Sequence, residues 1–264
     1  MNWIESILIG LLQGFTEFLP ISSSGHIELA KVLLGADIEE GLRFQIIIHI
    51  ATMISTLVVF RKDIFLIFKD LLQFKKTDDS LFALKILLSM IPLGIVYYLF
   101  GSQAEELFEG RAFWVGAMLL VTGSLMFATL KMSGKDKKIT FLMAIIIGLF
   151  QAAAIIPGIS RSGATLAAAL FMGAQKDQAT RFSFLMIIPP MLGATLLQFK
   201  ELSDAGFTAS HENNMLAIAF IAALVSGIVA CKWMINIVRK GNLFYFGIYC
   251  FAIGIIAMIW SSQI

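Results

Sequence analysis

The chain has 264 residues, of which 58% are hydrophobic and 14% are charged. Soluble globular domains have about 45–50% apolar and about 25% charged residues, so this composition excludes an ordinary soluble domain and is typical of an integral membrane protein. The net charge of +2 is small and no basic block is interleaved with aromatic residues, which excludes a nucleic-acid-binding protein. We therefore expect an all-α protein that lies in a lipid bilayer.

Six apolar segments are long enough to cross a bilayer as helices, which takes about 20 residues or slightly fewer. They cover residues 44–60, 81–100, 112–130, 182–199, 215–231 and 243–260. Pro92 and the pair Pro189-Pro190 lie inside two of them and predict kinks whose free backbone groups are satisfied by neighbouring helices. The sequence thus predicts six transmembrane helices.

Two further apolar regions, 3–34 and 139–173, are too long for one span and are broken near the middle by Pro, Gly and Ser. Irregular backbone at membrane depth is tolerated only where protein or a watery cavity covers it. We therefore predict that each region is a helix, a polar turn and a short returning helix. Each would be a re-entrant helical hairpin.

The two broken regions are copies of each other. Three matches share an offset of 138 residues: Gly10-Leu11-x-Gln13 with Gly148-Leu149-x-Gln151, Ser22-x-Ser24-Gly25 with Ser160-x-Ser162-Gly163, and Arg43-Phe44 with Arg181-Phe182. The pattern predicts a single membrane domain, residues 1–264, with one repeat at 1–130 and the other at 139–264. Three spans per repeat give the repeats opposite orientations, and in such inverted repeats the site lies near the midplane.

The distribution of basic residues predicts the orientation. Of the 20 Lys and Arg residues, fourteen fall on one face, including the loop residues Lys75, Lys131 and Lys135, and four fall on the other; Lys85 near a span end and Arg161 are the remainder. The richer face is expected in the cytoplasm. Both termini would then lie outside, and the hairpins would enter from opposite sides with their tips in contact.

The first hairpin places polar chemistry inside an apolar stretch. Gln13 and Glu17 are four residues apart and share a helix face, which Gly10 and Gly14 open to another backbone. Pro20 ends that helix. Three serines, Ser22, Ser23 and Ser24, then stand where a new helix begins, so they can cap its N-terminus or contact a ligand there.

The second hairpin repeats this turn and adds a cation. Pro157-Gly158 is followed by Ser160, Arg161 and Ser162, and Thr165 can either contact phosphate or bond to its own helix backbone. Two helix N-termini, several serines and an arginine predict a site for a multiply charged anion such as phosphate, because the planar guanidinium can bond two phosphate oxygens.

Two other titratable residues indicate chemistry beyond binding. Glu17 would repel a phosphate unless it bridges through a divalent cation or acts as a base, and Mg²⁺ commonly binds through one or two carboxylates plus substrate phosphate. His26 follows Gly25 in the first turn of the returning helix and can be a nucleophile or a general acid. His49, inside an apolar span, is interpreted as a packing histidine.

These motifs closely resemble the undecaprenyl-diphosphate phosphatase family, also called the bacitracin-resistance family, over essentially the whole chain. The matching residues are Gln13-x-x-x-Glu17, Pro20-Ile21-Ser22-Ser23-Ser24-Gly25-His26, Pro157-Gly158-Ile159-Ser160-Arg161-Ser162-Gly163-Ala164-Thr165 and Phe182-Ser183-Phe184-Leu185. Many members have Glu where Gln13 stands, so Glu17 is expected to be the main carboxylate here.

The resemblance implies hydrolysis of undecaprenyl diphosphate to the monophosphate and inorganic phosphate, which recycles the lipid carrier for cell-wall synthesis and confers bacitracin resistance. It implies Glu17, Ser23, His26 and Arg161 as catalytic residues, with Ser22, Ser24, Ser160, Ser162 and Thr165 around the phosphates. A divalent cation, Mg²⁺ or Ca²⁺, would be held by Glu17 and Gln13. The expected location is the bacterial cytoplasmic membrane with the site facing outward, and the expected partners are a long-chain polyprenyl diphosphate, the bilayer and, in a homodimer, a second copy.

A flippase or anion transporter is the alternative, because inverted repeats with broken helices are also typical of secondary transporters. Glu17 and His26 beside Arg161 favour the enzyme, since carrying an anion requires no acid, base or metal. The nucleophile stays open among Ser23, His26 and a metal-held water.

Overall fold

The computed structural model describes residues 3–34, 42–74, 76–108, 111–130, 136–204 and 212–262. Within these ranges the chain is all-helical, and the only β contact is a single bridge between Lys137 and Ala174. The helices are α1 (Trp3–Phe18), α2 (Ser23–Leu34), α3 (Leu42–Val59), α4 (Arg61–Leu72), α5 (Asp78–Phe108), α6 (Ala112–Thr129), α7 (Phe141–Ala153), α8 (Arg161–Phe171), α9 (Lys176–Leu185), α10 (Ile188–Asp204), α11 (Glu212–Lys240) and α12 (Phe244–Ser261). The predicted loop residues Lys75, Lys131 and Lys135 lie outside the described residues.

Length and apolar composition suit most of these helices to a bilayer. Five helical segments in the described part of the chain are long and apolar enough to cross a membrane, and a sixth is counted when α3 and α4 are taken as one bent pair. Large apolar side chains such as Leu87, Ile221 and Ile256 are exposed on their surfaces, where they can contact lipid. The chain is therefore an integral membrane protein.

Most predicted spans coincide with a helix, but the segment 182–199 is not one continuous helix. Helix α9 ends at Leu185 and α10 begins at Ile188, so the chain breaks immediately before the two prolines. Pro189 and Pro190 lie in the first turn of α10, where a missing backbone N–H removes no helical hydrogen bond. The predicted kink is therefore a helix break, whereas Pro92 lies inside the continuous helix α5.

Helix α4 turns away from α3 by 79° and has two different exposed stripes. Phe65, Phe68 and Leu72 form an exposed apolar stripe, and Lys62 and Lys69 are exposed along one edge of it. The opposite face packs inward. This division is typical of helices that lie in a membrane interface.

Both broken regions consist of two helices separated by a turn, α1 and α2 in the first and α7 and α8 in the second. Helix α1 packs against α11 and α7 packs against α5, so the first helix of each region contacts the other half of the chain. The expected close backbone approach at Gly10 is confirmed, because a Cβ there would lie 2.4 Å from the carbonyl oxygen of Ala219. Its equivalent Gly148 approaches the Ser89 carbonyl oxygen in the same way, at 2.3 Å.

Helices α6 and α12 cross at a pair of glycines that are also 138 residues apart. A Cβ on Gly116 would lie 2.7 Å from the carbonyl oxygen of Gly254, and a Cβ on Gly254 would lie 2.7 Å from that of Gly116. The contact is therefore reciprocal. It brings α12 of the second half against α6 of the first, beside the turn regions described below.

Candidate active site

Equivalent serines cap the helices that follow the two turns. The Oγ of Ser160 accepts from the N–H of Gly163 at 3.1 Å, and the Oγ of Ser22 accepts from the N–H of Gly25 at 3.3 Å. Ser22 does so with a φ of 69°, which a non-glycine residue adopts only at a cost. Because each serine satisfies one free N–H, the first turns of α2 and α8 begin as the repeated sequence predicts.

The two turns meet each other. Ser162 Oγ donates to the carbonyl oxygen of Leu19 at 3.2 Å. A Cβ placed on Gly25 would lie 3.0 Å from the Cα of Gly158. A Cβ placed on Gly163 would lie 3.1 Å from the Cβ of Pro20. The positive dipole ends of α2 and α8 are therefore at the same place, as an anion site requires.

The carboxylate of Glu17 lies at the centre of this junction. One oxygen, Oε1, accepts from the guanidinium of Arg161, and the other, Oε2, accepts from Ser23 Oγ at 2.9 Å and from Gln13 Nε2 at 3.1 Å. The Glu17 side chain is 2% exposed, whereas that of Arg161 is 29% exposed. Glu17 is thus enclosed by hydrogen bonds, while the arginine keeps an accessible surface through which it can contact an anion.

His26 lies one helical turn beyond Ser23 on α2, and both of its ring nitrogens have partners. Its Nδ1 lies 2.8 Å from the carbonyl oxygen of Ser22, and its Nε2 lies 2.9 Å from the hydroxyl of Tyr249 on α12. Residues three apart are neighbours on a helix face, so the imidazole and the Ser23 hydroxyl lie on the same side of α2. His26 is therefore linked to the first turn through Ser22 and to the second half of the chain through Tyr249.

The remaining predicted phosphate ligands have partners within the turns. Ser24 Oγ lies 3.4 Å from Ser22 Oγ, and Ser162 Oγ lies 3.2 Å from Ser160 Oγ, so the repeat extends to these contacts. Thr165 is fully buried, and its hydroxyl donates to the carbonyl oxygen of Arg161 at 2.9 Å. The sequence leaves two roles open for Thr165, and in the structure its hydroxyl bonds to the backbone of its own helix.

Comparison with known proteins identifies the family. Residues 6–256 match the family described as Bacitracin resistance protein BacA. The chain belongs to this family. A BacA relative named undecaprenyl-diphosphatase in Christiangramia forsetii is 47% identical over 264 residues, which cover 99% of each chain. The undecaprenyl-diphosphatase of Bacteroides fragilis is 44% identical with the same coverage, and undecaprenyl-diphosphatase 1 of Bacillus licheniformis is 37% identical over 98% of each chain. The resemblance based on the two motifs is confirmed.

The oxygen atoms of the candidate site fit a divalent cation that is shared with a phosphate. Among the residues that the structure describes, no three His, Cys, Asp or Glu side chains lie together to hold a metal ion. Beside the Glu17 carboxylate, however, the Oε1 of Gln13 is buried without a hydrogen-bond partner. One carboxylate, one amide oxygen, water and substrate phosphate are ligands that Mg²⁺ accepts, so the residues fit the cation only together with the substrate.

Two residues that contact the candidate site are missing from the sequence-based prediction. Thr122 on α6 donates to the carbonyl oxygen of Gly158 at 2.8 Å and accepts from the N–H of Ser160 at 2.9 Å, so it holds the second turn. Tyr249 is the other. Both lie in apolar spans, where a lone Thr usually bonds to its own helix, so one sequence contains no signal for either role. His49 bonds through Nδ1 to the Gln45 carbonyl oxygen at 2.7 Å, and it also interacts electrostatically with the Glu17 carboxylate, so it is more than the packing histidine that the sequence predicts.

Proposed function

We propose that this chain hydrolyses undecaprenyl diphosphate to undecaprenyl phosphate and inorganic phosphate. The names of its BacA-family relatives support this reaction. The observation that carries the proposal is the hydrogen bond from Ser23 Oγ to the Glu17 carboxylate, beside Arg161 and at the junction of two helix N-termini. A hydroxyl bonded to a base, next to an arginine, is a combination that phosphoryl transfer requires.

The charge of the site suits a diphosphate. The charges of Glu17 and Arg161 cancel, which leaves the N-terminal ends of α2 and α8 as partial positive charges of about +0.5 each. Arg161 has five N–H donors and uses only part of this capacity on Glu17, so its exposed edge can bond phosphate oxygens. The terminal phosphate would therefore lie between Arg161 and the first turn of α2.

Ser23 is the nucleophile in this proposal. Its Oγ attacks the terminal phosphorus while its proton moves to Glu17 Oε2, 2.9 Å away. The bond from phosphorus to the bridging oxygen breaks, and undecaprenyl phosphate leaves with the electron pair and a proton from His26, which begins the cycle protonated. Water then attacks the phosphoserine and gives one proton to His26, the P–Oγ bond breaks, and Ser23 recovers its proton from Glu17, which balances the reaction.

Glu17 and Gln13 are the residues that would hold Mg²⁺ or Ca²⁺ together with the diphosphate. When bound, such a cation neutralises charge on the phosphate oxygens. The unpartnered Gln13 Oε1 supports this assignment, because a buried acceptor without a donor is costly unless a ligand satisfies it. Ser22, Ser24, Ser160 and Ser162 surround the same space, and the polyprenyl tail would lie among the apolar helices.

The two broken regions are re-entrant hairpins of an inverted repeat with six spans, and reciprocal contacts support this topology. Gly25 contacts Gly158, and the repeat equivalent of Gly25, Gly163, contacts Pro20, which is the equivalent of Gly158. Gly116 and Gly254 contact each other in the same reciprocal way. Contacts that persist when the repeats are exchanged are those that two-fold related halves make.

The proposed orientation puts the termini outside, and α4 in the cytoplasmic interface. Ser262→Cys near the C-terminus should react with a membrane-impermeant maleimide in spheroplasts, and Gln73→Cys at the end of α4 should react only after permeabilisation. Both positions are exposed, and the native Cys231 and Cys250 are buried, so the background is low. The reverse labelling pattern would contradict this orientation.

Purified protein in detergent is expected to release phosphate from undecaprenyl diphosphate when Mg²⁺ or Ca²⁺ is present. Ser23→Ala should lower kcat by about 10²-fold, with residual turnover because Glu17 can still activate water in the vacated space. With substrate labelled at the terminal phosphate, acid quenching should trap an acid-stable label on Ser23.

Ser124→Ala is the matched control, since that exposed hydroxyl bonds only within its own helix, to Leu120. An acid-labile label on His26, with Ser23→Ala near wild-type activity, would overturn the nucleophile assignment. If the wild type releases no phosphate while vesicles containing it exchange a labelled lipid phosphate, the protein is a flippase and the hydrolysis proposal fails.

A further inference from the structure

We propose that Tyr249 is a positioning residue for His26, an inference that rests on the proposed function. Tyr249 belongs to α12 and His26 to α2, 223 residues apart. The Tyr249 hydroxyl lies 2.9 Å from His26 Nε2, and the two rings are nearly parallel, with an interplanar angle of 8° and centroids 5.5 Å apart. Both a hydrogen bond and ring stacking therefore hold this imidazole from outside its own hairpin.

The protonation of His26 Nδ1 determines which group donates the hydrogen bond between Nε2 and the Tyr249 hydroxyl. Nδ1 of His26 lies 2.8 Å from the carbonyl oxygen of Ser22. A carbonyl oxygen can only accept, so Nδ1 carries a proton. In the neutral imidazole Nε2 is then the unprotonated nitrogen, and the Tyr249 hydroxyl donates to it. When the imidazole is protonated, the same hydroxyl accepts from Nε2–H. A phenol can partner both states, which a carbonyl or an ammonium group cannot.

This arrangement gives the second half of the chain a role in the proposed acid–base chemistry of the first. The Nδ1 contact links His26 to Ser22, the capping residue with φ of 69°, and the Nε2 contact links it to α12. The ring is held at both nitrogens, so the neutral imidazole has one tautomer and one orientation, with Nε2 against the Tyr249 hydroxyl. Tyr249 contacts neither Glu17 nor Arg161 in the described structure, and it acts through His26.

Tyr249→Phe is the direct test, because it retains the ring and removes only the hydroxyl. We expect kcat for phosphate release to fall about tenfold, the value of one hydrogen bond, with KM changed less than about twofold. Tyr245→Phe is the matched control. Tyr245 lies one turn earlier on the same helix and is 66% exposed, so its variant should retain wild-type kinetics.

A spectroscopic measurement separates positioning from packing. The chain has three histidines, so ¹⁵N-labelled histidine gives few signals, and His26→Gln assigns those of His26. At a pH at which the imidazole is neutral, the wild type should show the Nδ1-protonated tautomer with a hydrogen-bonded Nε2. In Tyr249→Phe the Nε2 resonance should move toward the position of a free nitrogen, whereas Tyr245→Phe should leave it unchanged.

Failure of the positioning role and failure of the proposed function give different results. If the Nε2 resonance or kcat of Tyr249→Phe equals that of the wild type, the positioning role is overturned while the proposed hydrolysis stands. If the wild type itself does not hydrolyse the diphosphate, the proposed function fails first, and the catalytic purpose of the Tyr249 contact fails with it.

Discussion

Replacing Arg161 with alanine is expected to lower kcat/KM for phosphate release by about 10⁴-fold, because an arginine that stabilises a transferring phosphoryl group contributes on that scale. Arg161 is the cation at the junction of the hairpins; it contacts Glu17 and its side chain is still 29% exposed toward a ligand. The measurement is steady-state phosphate release from undecaprenyl diphosphate at saturating divalent cation.

Two further variants make the Arg161 result specific. Arg161→Lys retains the charge but loses the planar fork, so an intermediate loss of about 10²-fold is expected. Arg239→Ala is the control, since Arg239 is exposed and pairs with Asp177 at 2.7 Å. Neither residue belongs to the two hairpin motifs. If Arg161→Ala retains more than about a tenth of wild-type kcat/KM, the arginine does not stabilise the transferring phosphoryl group.

Glu17→Gln is expected to lower kcat by about 10³-fold, because an amide cannot accept the Ser23 proton. The substitution keeps the size of the side chain, so the loss reports on charge and basicity. It should also lower Tm, since Arg161 loses its carboxylate partner. Removing one member of a buried pair costs about 3–5 kcal/mol, and the partial exposure of Arg161 makes the cost here smaller.

A double variant distinguishes the two effects of Glu17→Gln. Adding Arg161→Gln removes the unpaired charge, so Tm should recover part of its loss while activity stays low. Glu5→Gln, at an exposed position in the first turn of the same helix, is the control and should leave kcat unchanged. Wild-type kcat in Glu17→Gln would exclude Glu17 as the base.

The local structure of the two turns could be predicted because it depends on neighbours in the sequence. A serine followed three residues later by glycine caps a helix through one short hydrogen bond, and this occurs at both Ser22 and Ser160. The polar contact between Gln13 and Glu17, four residues apart on one helix, follows from helical periodicity in the same way. These interactions need no information about the rest of the chain.

The same sequence reasoning is less informative where a residue's partner is distant. Arg161 and Arg181 are both cations near repeated motifs. Arg161 contacts Glu17, whereas Arg181 pairs with Asp63 at 2.7 Å and Asp79 at 2.8 Å and lies over the ring of Phe82. For Arg161 the predicted contact between the hairpin tips indicates Glu17, whereas polarity in apolar surroundings predicts only that Arg181 requires a partner and does not identify it.

The sequence by itself determined the membrane class, the 138-residue repeat and the serines available as helix caps, since these depend on composition and on contacts within one or two helical turns. Only the tertiary structure decided that Glu17 contacts Arg161 across 144 residues, that Tyr249 contacts His26 across 223, and that the chain breaks before Pro189. The physical reason is that such contacts arise when helices pack, and helix packing depends on the shapes of many side chains together, which the spacing of residues along one chain does not specify.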